Sequence, residues 1–356
     1  MIDLARYRPL GPAEIQLPCA DLAPSLDYLV GYLGFRIETI FPADDPTTAS
    51  LSGYGLRLRL GPGRGDPGLI RLPCETLPPE DERELIAPNG TRIMLVASDP
   101  AFAMPELAPE FLLSRAADAA SGPGRAGMHY RDLIPRRLGG RYIASHITLP
   151  EGGPVADWVH FHKVHAQMIF CRKGWARLVY EDQGEPFLFS AGDCVLQPPL
   201  IRHRVLETSP GFEVVEVSSP ALHETLADHD LALPTGRLDP ARNFGGQIFR
   251  HSRAATTAWE VFGDTGFEVR PTGLSGPSAG QISVNVLRPA AEDHVAMAAR
   301  NVELVLGFVL SGVASLACRG NHGLVGADAF VIPPGEPWGL NEGSSDLELL
   351  LVTAPA

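Results

Sequence analysis

No CxxC pair occurs in the 356 residues, and the five cysteines, at positions 19, 74, 171, 194 and 318, are scattered. An odd count without metal-type clustering reads as reduced thiols and points to a cytoplasmic protein. No run of 18 apolar residues is present, and no basic-then-apolar segment opens the sequence. Neither membrane spanning nor secretion is therefore expected. Positive charge is in deficit: 29 Lys and Arg stand against 42 Asp and Glu, a formal net charge of -13. That argues against a nucleic-acid partner, which requires a basic surface. A dinucleotide fingerprint, a phosphate-binding loop, a haem motif and a G-x-S-x-G nucleophile context are all missing. The stretch GPGRG at 61–65 is glycine-rich, but its proline and the lack of a strand-to-helix context make it a loop.

Glycine and proline are plentiful, at 37 and 33. They punctuate short apolar runs of Val, Ile, Leu, Phe and Tyr, which is the texture of a β-rich protein with tight turns. The length exceeds what one compact core holds, so two or three domains are expected.

Residues 1–100 read as a small α+β unit. EIQLPC is a short strand. DLAPSLDYLVGYLGF follows as a helix, with Asp21 as its cap, Leu26, Leu29, Val30 and Leu33 at helical spacing, and Gly34 as its stop. RIETIF and GYGLRLRL read as strands, and APNGTRIMLVA as a turn at Asn89-Gly90 leading into another. On DLAPSLDYLVGYLGFRIE and the closing APNGTRIMLV, residues 12–98 resemble one βαβββ module of the glyoxalase/bleomycin-resistance (vicinal oxygen chelate) superfamily. Active members place a His near the start of the first strand and a Glu in the last. Here Glu14 or Gln16 stands at the first position and Met94 at the second, so a structural role in packing, dimerisation or pocket closure is expected. Residues 101–139 read as a helical connection, with a short helix over PELAPEFLLSRAADAA and a flexible break at SGPGRAG. His129, Tyr130 and Arg131 then lead into the next domain; they could reach a pocket, but exposure is their simpler reading.

From 141 to 220 strand signals are dense, and after a linker at about 221–245 a second β-rich stretch runs to 353. MIFCRKGWARL is answered by GFVLSGVASL, and AGDCVLQPP by GADAFVIPP. This internal repeat divides the remainder into domains at 140–235 and 236–356. In the first copy His160 and His162 stand two apart, so on a strand they share a face. Gln167 and Gly174 follow them, and Gly192, Pro198 and His203 come later. The runs GGPVADWVHFHKVHAQMIFCRKGW and AGDCVLQPPLIRH resemble the two motifs of cupins. The fold expected is mainly β: two cupin (double-stranded β-helix) barrels, a bicupin, preceded by the small α+β βαβββ module.

The resemblance implies one divalent metal ion on His160, His162, Gln167 and His203. Fe(II) is favoured, and Zn, Ni, Mn and Cu are chemically compatible with imidazole ligands. Gln167 occupies the usual carboxylate position. A neutral amide there leaves the ion's charge uncompensated, which suits an anionic, oxygen-chelating substrate; the alternative is that Gln167 binds substrate instead of metal. His165 competes with Gln167 as fourth ligand, and it is also a candidate for acid–base work. Tyr180 is the second candidate for moving a proton. Cys171, Gln197, Arg202, Arg204 and Glu216 are weaker pocket candidates. Trp158 could wall the entrance, and Asp157 could orient a ligand histidine. In the second copy Trp338 falls at the position of His203, and Ala298 and Arg300 at those of the paired histidines. His294, Glu303 and His322 do not restore the spacing, so this barrel is expected to be structural. The two barrels are expected to pack face to face and the chain to form a homodimer.

By resemblance the function expected is an Fe(II) dioxygenase that cleaves a C–C bond in a small aromatic, hydroxy-acid or dicarbonyl substrate. A redox-neutral lyase or isomerase acting through an enolate is the alternative, and a non-catalytic small-molecule binding protein is the third reading.

Overall fold

The structure is a computed structural model that describes residues 11–99, 103–118, 121–263, 265–290 and 302–356, together with the backbone of 295–297. The chain divides into two compact units, 1–103 and 104–356.

In the first unit β1 (Ile15–Pro18) leads into α1 (Leu22–Leu26), which continues as a wider turn through Tyr32. Leu22, Leu29 and Leu33 are the buried stripe of that segment. Asp21 makes no side-chain cap; its carbonyl instead accepts a hydrogen bond from Ser25 Oγ at 3.0 Å. Gly34, at φ +81°, ends the turn in the left-handed region that glycine reaches without steric cost. Three strands follow, β2 (Arg36–Phe41), β3 (Thr48–Gly53) and β4 (Leu56–Gly61), in a sheet ordered β1-β4-β3-β2 with β1 parallel to β4. The β-α-β-β-β order is thus complete by residue 61, and the closing strand is not the one expected. Arg92–Ala97 (β7) belongs instead to a separate three-stranded sheet with β5 (Leu69–Cys74) and β6 (Glu84–Ile86), ordered β5-β7-β6. Here too the first strand lies parallel to the last. The sequence carries the echo: Ile15-Gln-Leu-Pro-Cys19 in β1 returns as Ile70-Arg-Leu-Pro-Cys74 in β5.

The second unit holds two cupin-type barrels. The expected helix over 105–118 does not form; its Leu112–Ser114 is a strand, β8. The remaining strands of three or more residues in the first half are β9 (His129–Asp132), β10 (Ile143–Leu149), β11 (His160–His162), β12 (Ala166–Lys173), β13 (Trp175–Tyr180), β14 (Phe187–Ser190), β15 (Cys194–Leu196), β16 (His203–Thr208), β17 (Phe212–Ser219) and β18 (Thr225–Ala227). In the second half they are β19 (Arg250–Ser252), β20 (Phe267–Pro271), β21 (Ser283–Pro289), β22 (Val295–Met297), β23 (Val302–Ser311), β24 (Val313–Ala317), β25 (Asn321–Val325), β26 (Ala329–Ile332), β27 (Trp338–Asn341) and β28 (Glu348–Pro355).

One large sheet runs β19-β15-β12-β17-β10-β9 and the other β8-β26-β23-β28-β21-β20 in the matching order, each extended at its last strand by a two-residue strand, Gly122–Pro123 in the first and Glu260–Val261 in the second. Each is capped by a strand from the other half of the unit. The turn aspartates tie these exchanged strands down. Asp193 accepts from Ala254 N at 2.9 Å just beyond β19, and Asp328 accepts from Ala116 N at 2.8 Å just beyond β8.

Alternation along β12 sorts its side chains between two cores. Met168 and Phe170 point toward the second barrel, where they join Val284, Leu306 and Val352 between the large sheets. The barrels therefore pack face to face. Cys171 points into the first barrel. The interior of the second barrel is filled with apolar groups, including Val305, Leu316, Phe330 and Trp338. Phe330 lies over Gly307, where an added Cβ would sit 2.1 Å from its Cζ. Among the described residues, no group of three or more His, Cys, Asp or Glu side chains placed to share a metal ion lies inside this barrel.

Candidate metal centre

His160 pairs directly with His203 across β11 and β16, and His162 follows on the same face of β11. All three are buried, and one ring nitrogen from each lies within 4.8 Å of the others. Their hydrogen bonds fix their chemistry. Nδ1 of His160 faces the Trp158 carbonyl at 2.8 Å, and Nδ1 of His203 faces that of Ile201 at 3.0 Å. Nδ1 of His162 faces the Glu224 carbonyl at 3.4 Å. A carbonyl only accepts, so each Nδ1 carries the proton and each Nε2 keeps its lone pair. Burial, followed by the neighbouring His160 and His223, holds the His162 pKa down to about 3. Burial and its two histidine neighbours also push His203 well below the usual range, and burial and Arg125 lower His160. Three neutral imidazoles with free Nε2 lone pairs converge, a donor set that fits one divalent cation.

Two N–H donors engage these lone pairs. Arg125 Nη2 lies 2.8 Å from His160 Nε2, and Gln197 Nε2 lies 3.0 Å from His203 Nε2. Arg125 also reaches Asp157 Oδ1 at 2.6 Å, and the other Asp157 oxygen accepts from Val205 N at 3.0 Å. The sequence makes Asp157 a candidate for orienting a ligand histidine. It stands 3.5 Å from His160 Nδ1, but its short bond goes to Arg125.

Gln167 is buried on the pocket face of β12. Its Oε1 accepts from Gln197 Nε2 at 2.9 Å, and its Nε2 donates to Glu216 Oε1 at 3.2 Å. Tyr180 lines the same pocket, its ring stacked on His203 with centroids 5.4 Å apart. Its hydroxyl donates to Gln197 Oε1 at 2.9 Å. Burial, reinforced by Glu216, pushes this phenol far above the ordinary range. The same hydroxyl holds the Gln197 amide in one orientation.

His165 is not brought to the pocket, and this corrects its reading as fourth ligand or acid–base group. Its Nε2 lies 2.5 Å from Gln281 Oε1, and the residue lines a separate small cavity with Tyr142 and Ser219. The reason is local. β12 begins at Ala166, so strand alternation does not extend back to 165.

The histidine pocket is a cavity of about 70 Å³. Its polar end carries Arg125, the histidines, Gln167, Gln197 and Glu216, while Ile147, Leu149, Leu178, Phe189 and Val214 form an apolar wall. Arg204 and Tyr130 also line it, so Tyr130 is not the exposed residue expected. His129 is exposed and Arg131 buried. Trp158, 40% exposed, has Arg125 over its ring at 5.9 Å. Cys171 is buried beyond the pocket lining, its thiol pushed up by burial. Arg202 faces away, bonding Asp228 at 3.1 Å. In the second barrel Met297 pairs with Trp338 as His160 pairs with His203. The alignment of Ala298 and Arg300 is therefore one residue out of register; those residues and His294 lie outside the described ones. Glu303 binds Arg141 at 2.6 Å, and His322 Nε2 lies 3.1 Å from the Cys318 carbonyl.

No family model matches the chain, and no curated protein matches it. Solved structures do. A putative glyoxylate induced protein from Pseudomonas aeruginosa superposes with TM-score 0.52 at 13% identity, over 72% of this chain and 92% of its own. A variant of salicylate 1,2-dioxygenase from Pseudoaminobacter salicylatoxidans gives 0.50 at 14% identity, over 70% and 85%. A variant of Bacillus subtilis oxalate decarboxylase gives 0.50 at 14%, over 73% and 80%. At these identities the likeness is one of fold: the chain has the two-barrel bicupin architecture, preceded by a small α+β unit.

Proposed function

We propose that the first barrel holds one divalent metal on the Nε2 atoms of His160, His162 and His203, with Gln167 Oε1 as the fourth protein ligand, and that the chain is a metal-dependent enzyme acting on a small anionic substrate. The observation that carries this is the set of three Nδ1–H bonds to carbonyls, which present three lone pairs to one point. The reaction favoured is Fe(II)-dependent dioxygenase cleavage of a C–C bond in a small oxygen-chelating aromatic, hydroxy-acid or dicarbonyl compound. Salicylate and oxalate, named by two of the matched structures, are small acids that such a site would accept.

When bound, the ion supplies Lewis acidity and, as iron, oxygen activation. The chain's own residues supply the rest. Arg125 presents a planar fork of N–H donors to a substrate carboxylate, and Asp157 fixes the plane of that fork. The apolar wall excludes water, which strengthens each charge interaction at the polar end. Gln167 and Gln197 are neutral and leave the anionic substrate as the charge partner of the ion. Glu216, tied to the ligand set through Gln167, is the carboxylate placed to hold or release a proton.

That Glu216 link also favours the second reading, a redox-neutral lyase or isomerase, since such chemistry needs a proton carrier and no oxygen. Oxygen uptake separates the two. Protein purified without oxygen is assayed against salicylate, small hydroxy acids and diketones. Substrate-dependent uptake with near-stoichiometric iron supports the dioxygenase; turnover without uptake supports the lyase or isomerase. For the N-terminal unit the glyoxalase-type reading rests on strand order alone, with a structural role.

A further inference from the structure

Across the β12 strand from the histidine pocket lies a second cleft, of about 480 Å³, between the two barrels. Gln167 and Ile169 face the pocket, whereas Phe170 and Arg172 face this cleft. The cleft also takes Arg270 from β20, together with Trp259, Ser311 and Glu348.

Arg270 is only 7% exposed. Its single hydrogen bond goes from Nη1 to the Gly192 carbonyl at 3.1 Å, and among the described residues no carboxylate stands within ion-pair distance of it. The guanidinium packs on Gly192, where an added Cβ would lie 3.3 Å from Nη2, and its centre lies 5.6 Å from the Trp259 ring. The rest of the Arg270 guanidinium faces the open cleft with donors that no described protein group takes, a planar fork placed to bind an oxyanion there. Arg172, by contrast, is already paired with a carboxylate. One arm holds Glu213 and the other reaches the Leu310 carbonyl at 3.4 Å, while its buried Nε has no partner. Glu348 is the acidic group facing the same cleft. It lowers the net positive charge without pairing with either arginine.

We propose that this cleft is a second ligand site that takes the carboxylate or phosphate head group of a small molecule at Arg270 and Arg172, with the Trp259 indole against its body. The site is distinct from the histidine pocket and shares only β12 with it, so a ligand here bears on a strand that carries Gln167.

The test is calorimetric titration of the full chain, in buffer free of other oxyanions, with inorganic phosphate and with benzoate as probes. The wild type and His162→Ala are compared, so that binding at the histidine pocket is recognised by its loss in the variant. The expected result is saturable binding of at least one probe, equal in the two proteins. It weakens about tenfold in Arg270→Lys, which keeps the charge and loses the fork, and it tightens in Glu348→Gln. Preference for benzoate assigns an aromatic acid, and preference for phosphate a phosphorylated ligand. Should Arg270→Lys fail to fold, Glu348→Gln on the cleft wall still decides. No saturable heat with either probe, or binding indifferent to both substitutions, overturns the proposal.

Discussion

Nη2 of Arg125 lies 2.8 Å from Nε2 of His160, on the lone pair that a metal ion would use. Arginine has no acceptor, so this contact is a donated hydrogen bond and competes with metal for the same electrons. With a metal ion on that nitrogen, this N–H would be free for a substrate carboxylate while the other arm of Arg125 holds Asp157.

Arg125→Met removes the competitor. Metal affinity, measured against a chelating dye, is expected to rise by about fivefold to tenfold, the worth of one hydrogen bond. KM for an anionic substrate is expected to rise. Weaker metal binding in this variant would make Arg125 a support of the site and contradict its role as competitor.

The Asp157 carboxylate is fully buried and holds both Arg125 and Val205 N. Asp157→Asn replaces one acceptor oxygen by a donor facing a cation or an N–H. A loss of about 1–3 kcal/mol is expected in denaturant unfolding, below that of a fully buried pair because Arg125 is partly exposed. An unchanged midpoint would show that the Arg125 link carries no stability.

Tyr180→Phe removes the donor that aims Gln197. Metal affinity is expected to rise by about fivefold to tenfold, because the Gln197 amide donates to the His203 Nε2 lone pair as Arg125 does to that of His160. The pH profile of activity keeps its shape, because the phenol is too weak an acid to titrate. A limb of the profile that vanishes in the variant would make Tyr180 a proton carrier.

Glu213 gives the fold an acid limb. Its bond to His146 at 3.0 Å, with Arg172 adding to it against the opposing effect of burial, holds its pKa at about 2, below the ordinary 4.5. A depressed carboxylate pKa contributes stability that is fully present above the unfolded value of 4.5 and is lost as pH falls through about 2. The difference in melting temperature between wild type and Glu213→Gln is therefore constant above that window and shrinks within it. A difference that stays constant down to the lower limit would remove Glu213 from the acid response.

Much of the site is legible in the sequence because strand alternation is a strict rule. His160 and His162 share a face by spacing, and the glycine–proline frame of AGDCVLQPPLIRH positions His203. The same rule misplaces His165 when it is carried one residue past the start of a strand. Arg125 sits in a glycine-rich stretch 35 residues before His160, where no local spacing links it to the pocket; only the fold brings them together. The Gln197 amide, between Tyr180 and His203, is likewise invisible as a partner. In the N-terminal unit the repeat of β1 in β5 is written in the sequence, but the expected fourth strand belongs to the other copy. Hydrophobic pattern alone does not choose between two equivalent partners.

The most direct test of the metal site is metal content, by mass spectrometry, of the chain purified without oxygen, alongside His162→Ala and His203→Ala confirmed as folded by their unfolding transitions. A site built on these histidines predicts about one divalent ion per wild-type chain and its loss from both variants. A folded wild type without metal, or variants that keep the ion, would contradict it.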